Sequence, residues 1–333
     1  MRAMSPDDAP PRALLTSLGV TRLARVTTMD RCAIEVTAAV RPSGHVLQVT
    51  QGKGLSHAHA QWSAVGEAAE LLAAERPEAS RLTFARGSEL DGLVLDDDGL
   101  RRAWVGGARL SDQAAVWVPA ERVFCPPRGT AWLGPSTASW SSNGFGAHQT
   151  HARALEHAVL ELWERHALAA AIPDGWTPAV LRRTRVAWTH PLAEQLEARG
   201  FVVAPCVVAM TPLPLAAVLL FDREDPAVPL TAGYACRRTA AEGLLAALLE
   251  AAQSRLTEIH GARDDVATGG RPVGASLLEQ LGAAQGRPVP EAARVKGWPL
   301  TVASKVVMVT VTSTPLHVVK AVGIGLSESE LLR

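Results

Sequence analysis

Three stretches of this 333-residue chain share one layout: Ser63-Ala-Val-Gly-Glu67-Ala-Ala-Glu70, Leu160-Glu161-Leu-Trp163-Glu164-Arg165 and Leu249-Glu250-Ala-Ala-Gln253-Ser-Arg255. In each, two acidic or amide side chains stand three residues apart among apolar neighbours. On a helix that spacing puts both on one face, where they can converge on a single target. Carboxylates set among Ala, Leu, Val and Trp are costly to bury unless a cation meets them. Mg²⁺, hard and oxygen-seeking, is the ion such groups suit. The pairs recur at intervals of 94 and 89 residues, counted from Glu67 to Glu161 to Glu250. None shows the Glu-to-Lys i+4 pattern of a solvent-facing helix. Most helical glutamates are merely solvated, but recurrence in an apolar setting favours a shared site.

Each pair sits late in a repeated passage of strands, a glycine-containing loop and a helix. Residues 22–27, 33–40 and 46–50 carry the β-branched residues of strands, with a turn at Pro42-Ser43-Gly44. Gln51-Gly-Lys-Gly-Leu-Ser56 then leads into a first helix over 57–75. Residues 80–125 read as short strands and turns. A Gly-rich loop over 134–146 feeds a second helix over 150–171, stopped by Pro173. A strand and helix over 178–199 and an apolar run over 201–221 precede a third helix over 238–260. After a Gly/Pro-rich connector around 269–299, residues 306–311 and 317–322 read as final strands. The expectation is an α/β (α+β) fold, one composite domain over 13–333 with pseudo-repeated strand–loop–helix units around a central site, preceded by a structureless segment over 1–12.

Composition narrows the function. An apolar fraction of 47%, a charged fraction of 20% and a formal net charge of zero describe a globular chain without a basic nucleic-acid surface. No apolar stretch reaches membrane-spanning length, and the polar, Pro-rich start is unlike a signal sequence, so a cytoplasmic protein is expected. Cys32, Cys125, Cys206 and Cys236 are dispersed, without a Cys-x-x-Cys pair, and read as small core residues. Lys53 lies in the Gly-Lys-Gly triplet, and the junctions at 52–54 and 143–146 could present backbone N–H groups to phosphate, although no Walker loop is present.

Other chemistries have weaker signals. His148, His151, His157 and His166 cluster around the second pair, but no His-Glu-x-x-His core supports a zinc hydrolase. No nucleophile elbow is present. Arg255, and Arg263-Asp264-Asp265 beyond it, could contact substrate or phosphate, or could form a surface salt-bridge cluster.

Taken in order, these motifs resemble the YcaO-domain family over nearly the whole chain. Gly19-Val-Thr-Arg-Leu-Ala-Arg-Val-Thr and Gln51–Ser56 are similar to the start of such domains. Ser63-x3-Glu67-x2-Glu70 resembles the first signature of the family. Ser142-Asn-Gly-Phe-Gly-Ala running on to Glu161-Leu-Trp-Glu164-Arg165 resembles the second, and Glu250 to Asp265 the third. The resemblance implies an enzyme that uses ATP and Mg²⁺ to activate peptide backbone amides in maturing a ribosomal precursor peptide. It further implies that Glu67, Glu70, Glu161 and Glu164 hold Mg²⁺ and that Ser63, Arg165, Lys53 and His157 bind nucleotide. Glu250, Gln253 and Arg255 become candidate substrate or nucleotide contacts. Several positions depart from the pattern: Leu71 stands where Arg is usual, Arg153 where an acidic residue is usual, and Gly146 and Gln149 at expected polar positions. The chain ends without the Pro-rich tail of azoline-forming members, which favours thioamide or amidine formation over azoline formation. A TfuA-like or leader-binding partner is expected, as is a homodimer. A degenerate, non-catalytic YcaO scaffold is the reading from another class.

Overall fold

The computed structural model describes residues 8–137, 139–260, 277, 281, 286–291 and 293–327. Arg263-Asp264-Asp265, most of the expected connector and residues 1–7 of the expected structureless start lie outside the described residues.

The chain opens with α1 (Arg12–Ser17) and an antiparallel meander of β1 (Arg22–Arg25), β2 (Glu35–Val40) and β3 (Val49–Gly54), then enters α2 (His57–Glu75). Next come β4 (Leu82–Ala85), β5 (Leu93–Val94), β6 (Arg102–Arg109), β7 (Ala115–Pro119) and β8 (Phe145–His148), leading to α3 (His151–Ala171). The short elements α4 (Pro178–Thr184), β9 (Val186–Ala187) and α5 (Pro191–Ala198) precede a second antiparallel meander of β10 (Phe201–Ala209), β11 (Leu215–Asp222) and β12 (Thr231–Cys236). The last described elements are α6 (Ala240–His260), β13 (Arg287–Pro288), α7 (Leu300–Ala303), β14 (Val306–Thr312) and β15 (His317–Gly323). Strands β5-β7-β6-β14-β15-β8, with β4 added on β6, form the largest sheet. The mixed architecture agrees with the expected fold class, and the three long helices begin within two residues of their expected starts.

Packing follows the period of each element. In β11, Leu215, Ala217 and Leu219 face the core beneath α3, while Ala216, Val218 and Leu220 face the core beneath α6. A strand buried on both faces reads as an unbroken apolar run, as 215–220 does. The C-terminus of α2 is fixed by Glu75, which accepts hydrogen bonds from the Arg41 guanidinium (2.5 and 2.8 Å) and from the N–H groups of His45 and Val46 (both 2.9 Å). Glu75 is held below its ordinary pKa because these bonds outweigh its burial.

The repeat becomes concrete where helix meets strand. A Cβ placed on Gly52 of β3 would lie 2.3 Å from Ala60 O and 2.0 Å from Ala64 N of α2. On Gly146 of β8 it would lie 2.2 Å from Ala154 O and 2.7 Å from Ala158 N of α3. On Gly233 of β12 it would lie 2.1 Å from Ala247 O and 2.3 Å from Ala251 N of α6. In every unit one turn of helix backbone rests directly on a strand glycine, and all six alanines are fully buried. Thr50 and Thr231, two residues before Gly52 and Gly233, donate to Ala64 O (2.9 Å) and Ala251 O (3.1 Å).

This contact corrects two expectations. The Gly-Lys-Gly stretch is strand rather than loop: Gly52 and Lys53 pair with Thr37 and Val36 of β2. Its glycines serve the close approach of α2, so no phosphate loop forms there. Gly146 likewise lies in β8 under α3 and does not stand in for a polar nucleotide contact.

Replacing Gly146 by Ala should cost about 2–4 kcal/mol, because overpacking here meets rigid backbone. The same change at Gly106 of β6, where nothing lies within 4 Å, should be nearly neutral. Thermal unfolding of the two variants compares them; equal midpoints would remove the close-contact argument.

Candidate functional site

Strands β3, β8 and β12 are each the edge of their sheet among the described residues. An edge strand exposes backbone N–H groups without ladder partners. Here the helical glutamates meet them. Glu67 accepts from Gln51 N of β3 (3.1 Å), Glu70 from Ala147 N of β8 (2.7 Å) and Glu164 from Cys236 N of β12 (3.2 Å). Glu70 and Glu164 thus reach from their own helix to the strand of the next unit. The third unit completes the ring: Thr257 Oγ1 donates to Gln51 Oε1 (3.0 Å), and Gln253 Nε2 donates to Gln51 O (3.1 Å).

The glycine contacts also set the register between units. Ser63, His157 and Glu250 occupy equivalent helix positions, each one residue before the alanine whose N meets the glycine. Glu67, Glu161 and Ser254 follow one turn later, then Glu70, Glu164 and Thr257. The Glu250–Gln253 pair is therefore set one turn earlier than the other two pairs, not in the same place. Its third-unit counterparts Ser254 and Thr257 carry hydroxyls where the other helices carry carboxylates.

Glu67, Glu70, Glu161, Glu164 and Glu250 form one electrostatic cluster. Burial pushes Glu70 well above the ordinary carboxylate range, and the charges of Glu161 and Glu67 push it further. Burial raises Glu161 against the pull of Arg165 and Lys320. Glu164 rises to about 7, through burial first and then Glu250 and Glu161. Glu250 goes the other way: burial opposes its charge, but Lys53, Arg165 and Arg237 more than offset that. Its carboxylate lies 3.0 Å from Lys53 Nζ. Arg165 stands 3.8 Å from Glu161 and 3.7 Å from Glu164. Glu70, Glu161 and Glu250 remain partly accessible although protein surrounds them, as on the floor of an open cleft.

The other sequence candidates divide. His157 is accessible in the same cleft, and its pKa falls to about 4 through desolvation, then the charges of Arg237 and Lys53. It is a neutral acceptor at pH 7. Ser63 is exposed at the equivalent position on α2. Arg255 is a correction. Five residues beyond Glu250, it turns away from the cleft and is buried, with Nε 3.1 Å from both Asp30 oxygens and a terminal nitrogen 3.1 Å from Asp222. It also lies over the Phe201 ring. It is a structural cation joining Asp30, in the connection between β1 and β2, to β11, not a substrate contact. Arg153 is exposed on the first turn of α3, its side chain 70% accessible, so the departure there takes nothing from the carboxylate cluster. Leu71 is buried in the core face of α2.

Sequence reading missed Arg237, Lys320 and Gln51. Arg237 follows β12 and donates to Cys236 O (2.8 Å). Lys320 is a buried ammonium inside the apolar strand β15. A lone Lys in His317-Val-Val-Lys-Ala-Val322 was the available signal. Cavities of about 550 Å³ beside Thr239, Val289 and Glu291 and about 290 Å³ beside Thr184, Val207 and Met210 lie away from these residues.

Among the described residues no three His, Cys, Asp or Glu side chains form a metal cage. Mg²⁺ bound with a nucleotide needs less, since it takes one or two carboxylates together with phosphates and water. Carboxylates oriented by a strand amide, as Glu67, Glu70 and Glu164 are, fit that mode.

Comparison with known proteins now decides the lineage. The family model described as YcaO cyclodehydratase, ATP- and Mg²⁺-binding, matches residues 51–300. This chain belongs to the YcaO family. A Methanothermobacter thermautotrophicus protein is 30% identical over 279 residues, covering 75% of this chain and 69% of the relative. A Rhizobium leguminosarum bv. trifolii protein from the tfuA 3′ region is 31% identical over 283 residues, covering 76% and 66%. The aligned part thus spans about two thirds of those relatives. In fold, the chain matches the structure of YcaO from Methanopyrus kandleri bound with AMPPCP and Mg²⁺, with a TM-score of 0.71 at 22% identity, covering 95% of this chain and 88% of that one. Among the described residues no helix is long and apolar enough to cross a membrane.

Raised carboxylate pKa values have a consequence for stability. A carboxyl that binds its proton more tightly when folded stabilises the fold below its folded pKa and loses that contribution as pH rises through it. The cleft histidine His157 and also His148, His166 and His260 have lowered values, and their opposing effect ends above the ordinary histidine range near pH 6.5. Between pH 6.5 and 8.5, without ligand, the melting temperature should therefore fall, and Glu164→Gln should flatten the fall. A steeper or unchanged slope in the variant would reject the raised value at Glu164.

Proposed function

We propose that this chain uses ATP and Mg²⁺ to activate a backbone amide of a ribosomally made precursor peptide. Exchange of the amide oxygen for sulfur or nitrogen, giving a thioamide or amidine, is the first reading; azoline formation from a neighbouring Cys, Ser or Thr is the second. The observation that carries the proposal is the ring of edge strands whose amides orient glutamates from two helices into one cleft facing Lys53, Arg165 and Arg237. Family membership supplies the reaction class.

Bound MgATP would supply the phosphoryl group that makes the amide oxygen a leaving group. Glu67, Glu70, Glu161 and Glu164 would supply the carboxylates for Mg²⁺, one or two to an ion. Arg165, whose planar fork suits phosphate oxygens, and the point charges of Lys53 and Arg237's guanidinium would steady the triphosphate. Ser63 and His157 would meet the nucleotide from equivalent positions on α2 and α3, His157 as a neutral acceptor. Gln253 positions Gln51 and through it the strand beneath Glu67. The location of the Rhizobium relative beside tfuA supports the sulfur branch and a TfuA-type partner for leader recognition. A non-catalytic scaffold is the alternative favoured by buried Leu71, which cannot supply the arginine contact of the family pattern.

Turnover separates these readings. With precursor peptide, the protein should release ADP and phosphate, and Glu161→Gln should lower that rate roughly 100-fold or more while the fold persists. Sulfur exchange raises the peptide's mass, whereas azoline closure and condensation with an amine of the peptide both lose water, so intact mass identifies the sulfur branch and fragmentation separates the other two. Full activity in both Glu161→Gln and Glu67→Gln would reject the assignment. A scaffold would show no peptide-dependent ADP release.

A further inference from the structure

Lys320 is a charge placed where a strand would otherwise be wholly apolar. Its neighbours Val318, Val319, Ala321 and Val322 are all buried, and only 4% of Lys320 itself is accessible. Burying an ammonium without partners is prohibitive. Three sets of partners are present. Its Nζ donates to Ser141 O (2.7 Å) and Asn143 O (2.5 Å), and it lies 4.4 Å from the centroid of the Phe145 ring. Lys320 also stands directly across from Phe145 in the β15–β8 ladder. The bonds therefore tie the turn before β8 to β15, the strand paired with β8, whose Ala147 N–H holds Glu70. The third partner is electrostatic: the ammonium acts on both Glu70 and Glu161.

A count of charges gives the ammonium a second meaning. The cleft gathers five carboxylates, at residues 67, 70, 161, 164 and 250, and four cations, Lys53, Arg165, Arg237 and Lys320. So nearly balanced a cleft attracts a bare divalent ion weakly, and no three-ligand cage among the described residues compensates. A triphosphate changes the balance by bringing its own negative charge and oxygen ligands.

We propose that Lys320 is a positioning residue that makes the cation site depend on nucleotide: it clamps the 141–143 turn and offsets the negative charge of Glu70 and Glu161, so that divalent cation and triphosphate bind together rather than singly. The inference rests on the reading of the cleft as a cation–nucleotide site. It concerns a residue outside the 51–300 region matched by the family.

The test is binding rather than turnover. Free Mn²⁺ measured by electron paramagnetic resonance at pH 8 gives the cation affinity, with and without a non-hydrolysable ATP analogue. In the wild type, the analogue should strengthen Mn²⁺ binding at least tenfold, and Mn²⁺ should strengthen analogue binding by the same factor. Lys320→Met replaces the buried charge by an apolar chain of similar length and leaves the Ser141 and Asn143 carbonyls without their donor, so its melting temperature is read beside its affinities. It should tighten binding of Mn²⁺ alone by roughly three- to tenfold, the effect of removing one like charge at short range, and shrink the synergy. Lys320→Arg should restore the wild-type pattern. A merely structural lysine would loosen Mn²⁺ and analogue binding in step with a lowered melting temperature, and that result overturns the inference. So does unchanged affinity in a folded Lys320→Met protein. A wild type that binds neither probe rejects the cation–nucleotide reading itself, and this inference with it; a wild type that binds both while the variants fail the pattern rejects the inference alone.

Discussion

The seating of helix backbone on strand glycine is the contact from which the rest of the architecture follows. With a side chain at Gly52, Gly146 or Gly233, the helix could not lie against the strand at the observed distance. Only at that distance can a glutamate from α2 or α3 reach the unpaired amides of a sheet edge. Each edge strand would otherwise offer its N–H groups to a foreign strand. Here a carboxylate satisfies them from inside. One geometric device thus closes three sheet edges and aims charged groups at one place.

Aiming charge inward carries a cost, and the pKa directions display it. Glu70, Glu161 and Glu164 all resist ionisation in the free protein, because burial and mutual repulsion outweigh the amide hydrogen bonds and nearby cations. A carboxylate serving only as an edge cap would be better placed singly beside a cation, as Glu75 is beside Arg41. The contrast within one molecule is informative. Where the fold needs a buried carboxylate for stability it supplies a bidentate arginine and two amides. In the cleft it crowds several carboxylates together around shared cations, so that burial and mutual repulsion raise Glu70, Glu161 and Glu164.

Much of this was legible in sequence because local periodicity decided it. The i, i+3 pairs placed Glu67 with Glu70 and Glu161 with Glu164 on the correct faces, and the helices around them were found with nearly correct ends. What local reading lacked was the partner surface. It could not tell that the Gly-Lys-Gly stretch is an edge strand, since glycine marks both turns and close approaches, and only the alanines at 60 and 64 distinguish the two. Arg255 was misjudged for a related reason. Its partners Asp30 and Asp222 lie 225 and 33 residues away, and no spacing rule connects them. Arg237 and Lys320 enter the site from strands whose neighbours are fixed by sheet pairing, so their approach to the glutamates was likewise invisible from the chain alone.

The imperfect repetition is itself part of the chemistry. A ring with three equivalent carboxylate helices would offer a symmetric site, unsuited to a substrate whose two ends differ. In this chain α2 and α3 supply the two carboxylate rows, whereas α6 supplies Ser254 and Thr257 there and places Glu250 one turn earlier, against Lys53. The substitutions leave the α6 row with hydroxyls and one carboxylate, Glu250, held by Lys53, while Arg165 stands beside Glu161 and Glu164 of α3. That inequality between the rows gives the cleft a direction. A molecule carrying cation-bound phosphates at one end has one favourable way to lie in it.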